Sequence, residues 1–364
     1  MTSIPIADPR VGAAEKEAVL DVLESGQLAD GPVVREFETA FAEVVDADHG
    51  VATANGTTAL HAALEALEIG AGDRVVTTPF TYVATANAVT LAGAEVAFVD
   101  VDPETYNLDP DALEAHLRDG AQVDAVVAVH LYGLPADLTR LRELADEYDF
   151  ALVEDAAQAH GATVEGEPVG AVGDVGCFSF YPTKNMTTGE GGMITTDRDD
   201  VAERAARFVD HGRRSGYTHD AVGHNFRMTS IAAAIGLEQL DRLDAFTERR
   251  RANAAALTDR LADVPGVETP TVPDGRTHVF HQYTVRADDR DGLQDHLAAR
   301  DVGSAVYYPR PVHRQPAYDH VDATAPVAEA AAAEVLSLPV HPSLSDADLE
   351  RVARAVEEHA GVEQ

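Results

Sequence analysis

Between residues 50 and 155, short runs of β-branched and aliphatic residues alternate with segments in which apolar side chains have helical spacing. The predicted strands cover 73–78, 95–101, 124–130 and 151–154, and the predicted helices cover 55–67, 83–92, 109–118 and 138–148. Strands that alternate with helices indicate a parallel sheet with helices on both faces. Ligands bind such sheets beyond the carboxyl ends of the strands. The residues that follow each strand are therefore the first candidates for a functional site.

The remainder of the chain predicts two domains. Helical spacing also occurs at 13–24, 33–45 and 229–260, strands are predicted at 277–285 and 304–308, and a closing helix is predicted at 346–359. A chain of 364 residues is long enough for two or three domains. We expect a large domain over residues 1–245 and a smaller C-terminal domain over residues 246–364, connected by the long helical stretch.

Charge and cysteine content exclude several classes of protein. The chain has 27 Lys and Arg against 63 Asp and Glu, a formal net charge of −36. Nucleic acids and anionic membranes bind cationic surfaces, so neither is an expected partner. The single Cys177 excludes an intrachain disulfide and a multi-cysteine zinc site, and it fits a reducing cytoplasm. No apolar leader and no membrane-spanning apolar run occurs, and the acidic, lysine-poor composition suggests a salt-loving (halophilic) cell.

A metal site is not expected either. His278 and His281 lie three residues apart in a predicted strand, so their side chains would point to opposite faces. Metal ligands must converge on one ion. We therefore predict no metal ligand in this chain.

Lysine occurs only at positions 16 and 184, and Lys184 lies in a loop of small and turn-forming residues at 176–192. An amine with apolar and aromatic neighbours loses solvation, which lowers its pKa. A neutral lysine can form a Schiff base with an aldehyde. The lysine count alone leaves open whether Lys184 is such a nucleophile or an exposed side chain.

Asp155 follows the buried strand predicted at 151–154. An acidic side chain in this place can keep the pyridine nitrogen of pyridoxal 5'-phosphate (PLP) protonated, so that the ring withdraws electrons. Gln158 lies close enough along the chain to hydrogen-bond the ring hydroxyl. Taken alone, Asp155 could equally cap a following helix.

A turn containing glycine opens the helix predicted at 55–67. The free N–H groups and the dipole of a helix start bind phosphate. Gly56 allows close approach of the backbone, and Thr57 and Ser179 offer hydroxyl groups to the same phosphate. Tyr82 also follows a strand, where its ring can stack on a flat cofactor or pack in the core.

A Schiff-base lysine, a ring acid, a phosphate cradle and a stacking ring together indicate PLP. With these motifs the sequence resembles the PLP-dependent nucleotide-sugar aminotransferases of the DegT type. The matching segments span nearly the whole chain and cover 55–60, 79–87, 154–161, 176–192, 223–228, 307–313 and 338–342. The resemblance implies the α/β fold of aspartate aminotransferase (fold type I), with a mostly parallel central sheet flanked by helices and a smaller C-terminal α+β domain.

The resemblance implies catalytic roles that agree with the chemistry of the residues. Lys184 would bind PLP covalently and move protons during the reaction. Asp155 would pair with the pyridine nitrogen, and Gln158 would contact the ring hydroxyl. The implied reaction moves an amino group, with L-glutamate as donor, to a 3- or 4-keto sugar on a nucleotide carrier.

The resemblance also implies binding roles. Gly56, Thr57 and Ser179 would bind the phosphate, and Tyr82 would stack on the ring. Asn225 is similar to an asparagine that reaches the cofactor phosphate from the neighbouring subunit. This similarity implies a homodimer with shared active sites.

Two candidates and two alternatives remain open. Arg227 and His313 are candidates for the substrate pocket, although either could be a structural hydrogen-bonding residue. One alternative is a non-catalytic or regulatory PLP-binding protein of the same fold, against which the intact Lys184, Asp155 and Gln158 argue. The other is a PLP enzyme of different outcome, such as a sugar dehydratase or an amino-acid aminotransferase. Dehydratases among the relatives carry histidine where this chain has lysine.

Overall fold

The computed structural model describes residues 3–362. The helices in this range are α1 (Ala13–Ser25), α2 (Pro32–Val44), α3 (Gly56–Ala66), α4 (Ala84–Leu91), α5 (Pro110–Arg118), α6 (Leu138–Tyr148), α7 (Asp199–Val209), α8 (Ser230–Leu240), α9 (Leu243–Leu261), α10 (Arg290–Ala298), α11 (Pro326–Glu334) and α12 (Asp346–His359). The strands are β1 (His49–Thr53), β2 (Arg74–Thr77), β3 (Glu95–Phe98), β4 (Ala125–Val129), β5 (Ala151–Asp155), β6 (Thr163–Val164), β7 (Glu167–Pro168), β8 (Val175–Ser179), β9 (Gly192–Thr196), β10 (Arg213–Ser215), β11 (Thr218–His219), β12 (Val267–Glu268), β13 (Arg276–Thr277), β14 (Tyr283–Ala287) and β15 (Val335–Leu338).

The central sheet of the described chain has seven strands in the order β1-β9-β8-β5-β4-β2-β3. Neighbouring strands from β8 to β3 pair in parallel. Strand β9 is reversed and pairs antiparallel with β1 and β8. The predicted, mostly parallel sheet is therefore confirmed, and the carboxyl ends of β2, β4, β5 and β8 meet at one edge.

Alternate residues of β4 face two different hydrophobic cores, as the two-residue period of a strand requires. Val126 and Ala128 pack in a core with residues of α2, α5, α6 and α8. Ala125 and Val127 pack in a core with residues of α3, α4 and α7. Because both faces are covered, β4 is buried along its whole length, which is typical of a parallel sheet.

The C-terminal part forms a smaller antiparallel sheet, in the order β12-β14-β15. Residues of this sheet share a third core with α9, α10 and α12. The division predicted between residues 245 and 246 falls inside α9, and the domain boundary stays a prediction. The helical stretch predicted at 229–260 consists of two helices, α8 and α9, that are separated at residues 241–242.

Of two predicted strands in this part, the first is only partly formed and the second is wrong. The segment 277–285 is interrupted, because Phe280 has a φ of 45°, a left-handed conformation that no regular strand contains. His278 and His281 therefore do not lie on opposite faces of one strand. The segment 304–308 forms no strand and contributes an isolated bridge between Ala305 and Ser337. Among residues 3–362, no helix has both the length and the apolar character needed to cross a bilayer.

The buried carboxylate of Glu154 ties a loop to the sheet. It accepts hydrogen bonds from the backbone N–H groups of Gly170, Val172 and Gly173 at 2.8, 2.9 and 2.8 Å. It also lies 2.9 Å from His130 Nε2. His130 Nδ1 accepts a hydrogen bond from a backbone N–H, so Nε2 carries the proton and donates to Glu154.

We predict that Glu154→Ala lowers the free energy of unfolding by about 3 kcal/mol or more, because several buried donors lose their acceptor. Urea unfolding followed by circular dichroism measures this change. Glu17→Ala, at an exposed position of α1, is the matched control and should change stability by at most about 0.5 kcal/mol. Equal losses in the two variants would contradict the role of Glu154.

Candidate active site

A cavity of about 750 Å³ opens at the carboxyl edge of the central sheet. Its size lies within the range of about 300–1,000 Å³ that is typical of small-molecule sites. Most of the residues that the sequence singles out line this cavity, namely Gly56, Thr57, Tyr82, Asp155, Gln158, Ser179 and Lys184. The fold therefore brings four separate segments of the chain to one place.

The start of α3 forms one wall of the cavity. Asn55 caps the helix, since its side chain accepts a hydrogen bond from Thr58 N at 3.0 Å. The first N–H groups of a helix have no acceptor within the helix, so they remain available for an anion. A Cβ at Gly56 would lie 2.7 Å from Ser179 Cβ. Glycine is therefore required for the close approach of α3 to the end of β8.

Asp155 ends β5 and is only 6% exposed. Its Oδ2 accepts a hydrogen bond from the Thr85 hydroxyl at 2.7 Å, and its Oδ1 accepts one from Ala157 N at 3.3 Å. Turns follow β5 where the alternative interpretation required a helix, so capping by Asp155 is wrong. Burial raises the pKa of the Asp155 carboxyl, while the two hydrogen bonds and the charge of Lys184 oppose that rise.

The orientation of the Gln158 amide is determined by the backbone. Its Oε1 accepts a hydrogen bond from Tyr132 N at 2.8 Å. The NH₂ end is thus left as the donor for other partners. Tyr308, which comes from the C-terminal part, also contacts this side chain, and burial raises the pKa of its phenol.

Lys184 lies half-buried on the cavity wall, and its backbone N–H donates to Tyr181 O at 2.9 Å. Burial lowers the pKa of the amine from 10.5 to about 8, while the negative charge of Asp155 opposes this fall. At neutral pH about one amine in ten is then unprotonated, compared with fewer than one in a thousand for an ordinary lysine. This environment agrees better with the nucleophile than with the exposed side chain that the sequence left open.

Tyr82 lies on the cavity wall and is 59% exposed. Its ring centroid is 6.0 Å from that of Tyr308, with an angle of 38° between the planes. The alternative of a core aromatic is therefore wrong. The ring retains an open face on which a flat ligand can stack.

Three of the predicted residues lie away from this cavity. Asn225 is exposed, and its backbone forms a bridge with Asp210. Arg227 forms an ion pair with the same Asp210. His313 is buried, and its Nε2 lies 3.0 Å from Glu329 Oε1. The structural alternative that the sequence left open for Arg227 and His313 agrees with these contacts.

Other cavity residues were missed from the sequence. Four further residues line the cavity, namely His281, Gln282, Tyr307 and Tyr308. They lie in segments that the sequence predicts as strands, and no local motif marks them as site residues. The sequence also assigns no role to Thr85, which lines the cavity. The available signal was its spacing of four residues from Thr81, which brings two hydroxyl groups close together.

We predict that Lys184 in the ligand-free protein is acylated by acetic anhydride with a half-maximal rate near pH 8. Peptide mass spectrometry measures the rate separately at Lys184 and at the exposed Lys16, which serves as the internal control for reagent activity. Asp155→Asn should move the Lys184 midpoint to lower pH, because the carboxylate stabilises the ammonium form. A midpoint at or above the ordinary lysine pKa of 10.5 would contradict the assigned environment.

Comparison with known proteins gives consistent matches over nearly the whole chain. The model of the DegT/DnrJ/EryC1/StrS aminotransferase family matches residues 9–357. The chain is 41% identical over 347 residues to the pleiotropic regulatory protein of Geobacillus stearothermophilus, with 93% of both chains covered. It is 38% identical over 362 residues to the UDP-N-acetyl-3-dehydro-alpha-D-glucosamine 3-aminotransferase of Acidithiobacillus ferrooxidans, with 98% of this chain and 97% of the relative covered.

The fold is also shared with solved enzymes. S. venezuelae DesV, solved in complex with a ketimine intermediate, superposes with a TM-score of 0.96 at 39% identity and 99% coverage of both chains. Solved relatives occur in PLP and PMP forms. The close approach of Gly56 to Ser179 and the Lys184 amine and Asp155 carboxylate in the cavity lining fit such a cofactor. The chain belongs to the DegT/DnrJ/EryC1/StrS family and is a PLP-dependent aminotransferase.

Proposed function

We propose that this enzyme transfers the amino group of L-glutamate to a 3- or 4-keto sugar carried on a nucleotide. The A. ferrooxidans relative, by its name, acts on such a UDP-linked sugar. The observation that carries the proposal is that the half-buried Lys184 and the buried Asp155 both line one open cavity of about 750 Å³.

When bound, PLP supplies an electron sink for the bond changes at the amino carbon. Lys184 would hold the cofactor through Nζ. Once released by the incoming amine, Nζ would take a proton from the substrate carbon and return it to the cofactor carbon, as general base and then general acid. A lowered amine pKa favours the first of these steps, because the base must be unprotonated.

The other polar residues would hold the ring. Asp155 would accept the hydrogen bond of the protonated ring nitrogen and balance its charge. Gln158 would donate its NH₂ group to the oxygen of the ring hydroxyl, since its own oxygen is engaged by Tyr132. Tyr82 would stack on the ring with the face that it leaves exposed.

The phosphate would lie at the start of α3. The N–H groups of Gly56 and Thr57 point from a helix N-terminus, where the dipole favours an anion. Ser179 lies beside Gly56 across the close contact described above. Its hydroxyl and that of Thr57 would complete the phosphate site.

We further propose a homodimer in which Asn225 contributes to the partner's site. The hairpin of β10 and β11 and the loop after it expose Tyr217 at 99% and Val222 at 89%. Exposed apolar side chains that lie close together often mark a surface that binds another protein chain. Asn225 follows directly in the chain, which places it beside the surface that a partner would cover.

A cytoplasmic location is also proposed, supported by the free thiol of the buried Cys177.

We predict that Lys184→Ala abolishes turnover while the protein still binds PLP non-covalently. Absorbance spectra before and after addition of L-glutamate measure the first half-reaction. The visible band of bound PLP should disappear in the wild type and persist in the variant. Lys16→Ala, which replaces the other lysine, is the matched control and should behave as the wild type. Wild-type turnover in Lys184→Ala, or a wild-type band that ignores L-glutamate, would contradict the proposal.

The dimer is tested by complementation between two impaired chains. Light scattering should give about twice the chain mass of 38.6 kDa. If Asn225 serves the partner's site, Asn225→Ala and Lys184→Ala should each be impaired. Mixed dimers would contain one site with both defects and one with neither, so reassorted mixtures should regain activity. A monomeric mass, or mixtures no more active than their parents, would contradict a shared site.

A further inference from the structure

The buried carboxylate of Asp155 is held by a short chain of hydroxyl groups. The Thr85 hydroxyl donates to Asp155 Oδ2 at 2.7 Å, and the Thr81 hydroxyl lies 3.0 Å from the Thr85 hydroxyl. Thr85 is 1% exposed and Thr81 is 3% exposed. Both residues belong to the cavity lining.

The direction of this chain follows from the charge of its last member. An ionised carboxylate only accepts hydrogen bonds, so the proton of the Thr85 hydroxyl points to Asp155. The Thr85 oxygen then accepts from Thr81, whose hydroxyl can donate. The two threonines thus present a single ordered donor to the carboxylate.

The contact is not the ordinary one for a helical threonine. Threonine hydroxyls in helices commonly bond a carbonyl one turn earlier, as Thr90 of the same helix does with Ala86 O at 3.2 Å. Thr85 instead bonds a side chain 70 positions away, on a strand of the sheet. The contact therefore connects α4 to the end of β5 at the cavity.

We propose that Thr85 is a positioning residue that orients and stabilises the ionised Asp155 carboxylate for the ring nitrogen of PLP, and that Thr81 orients the Thr85 hydroxyl. This inference rests on the role of Asp155 proposed above. Hydrogen bonds to a charged group are worth more than those between neutral groups. Loss of the Thr85 hydroxyl should therefore weaken cofactor binding, and this effect should depend on an intact Asp155.

The test is a double-mutant cycle on the dissociation constant of PLP, measured by titrating cofactor-free protein. Thr85→Val should raise this constant roughly ten- to a hundred-fold, the range for a hydrogen bond to a charged group. Asp155→Asn should also raise it. In the double variant, Thr85→Val should add nothing to the effect of Asp155→Asn.

Three further variants separate positioning from packing. Thr85→Ser keeps the hydroxyl and should restore binding. Thr81→Val should weaken binding less than Thr85→Val, and only when Asp155 is intact. Thr77→Val removes a buried hydroxyl that bonds Val127 O at 2.9 Å outside the cavity. It should lower the melting temperature but leave the PLP constant unchanged.

The outcomes distinguish a failure of this inference from a failure of the role proposed for Asp155. If Asp155→Asn binds PLP as the wild type does, the role of Asp155 fails and the inference fails with it. If Asp155→Asn binds weakly but Thr85→Val binds normally, the inference alone is overturned. The inference is equally overturned if Thr85→Val weakens binding by the same factor with and without the Asp155→Asn change, since that result indicates packing.

Discussion

The site depends on the different hydrogen-bond partners of two buried carboxylates, those of Glu154 and Asp155 at the end of β5. Because a strand alternates its side chains, Glu154 and Asp155 point to opposite faces of the sheet. Glu154 is fully buried and accepts hydrogen bonds within the fold from His130 and from three backbone N–H groups. Asp155 receives one hydroxyl and one N–H group. The first carboxylate thus stabilises the fold, and the second retains capacity for a ligand.

Burial then affects the two reactive groups in opposite senses. It raises the pKa of Asp155 and lowers that of Lys184, because a low-dielectric cavity disfavours either charge. Each charge partly offsets the shift of the other. A cationic ring between them would give Asp155 a partner and leave Lys184 available as a base. The cavity is therefore suited to a cofactor that carries a positive charge at one end and an aldehyde at the other.

Much of the fold and site could be predicted from the sequence because the signals are local. The apolar period of β4 and the helices around it predicted a covered parallel sheet, which the structure confirms. Asp155 and Gln158 follow one predicted strand and Tyr82 follows another, so topology alone brings them to one edge. Lys184 follows β8, for which no strand was predicted. By contrast, Tyr308 and His281 reach the cavity from the C-terminal part. Their segments show strand-like composition, and no local pattern reveals that Phe280 adopts a left-handed conformation.

The sequence by itself determined the alternation of strands and helices, the family and the chemical types available to the site, since these follow from periodicity and from motifs of neighbouring residues. Only the tertiary structure decided between alternatives that share the same local pattern. It showed that Tyr82 is exposed on the cavity wall, that Asp155 caps no helix, and that Arg227 pairs with Asp210. The physical reason is that burial, charge partners and hydrogen-bond direction depend on residues distant in the chain, such as Thr85 and Asp155.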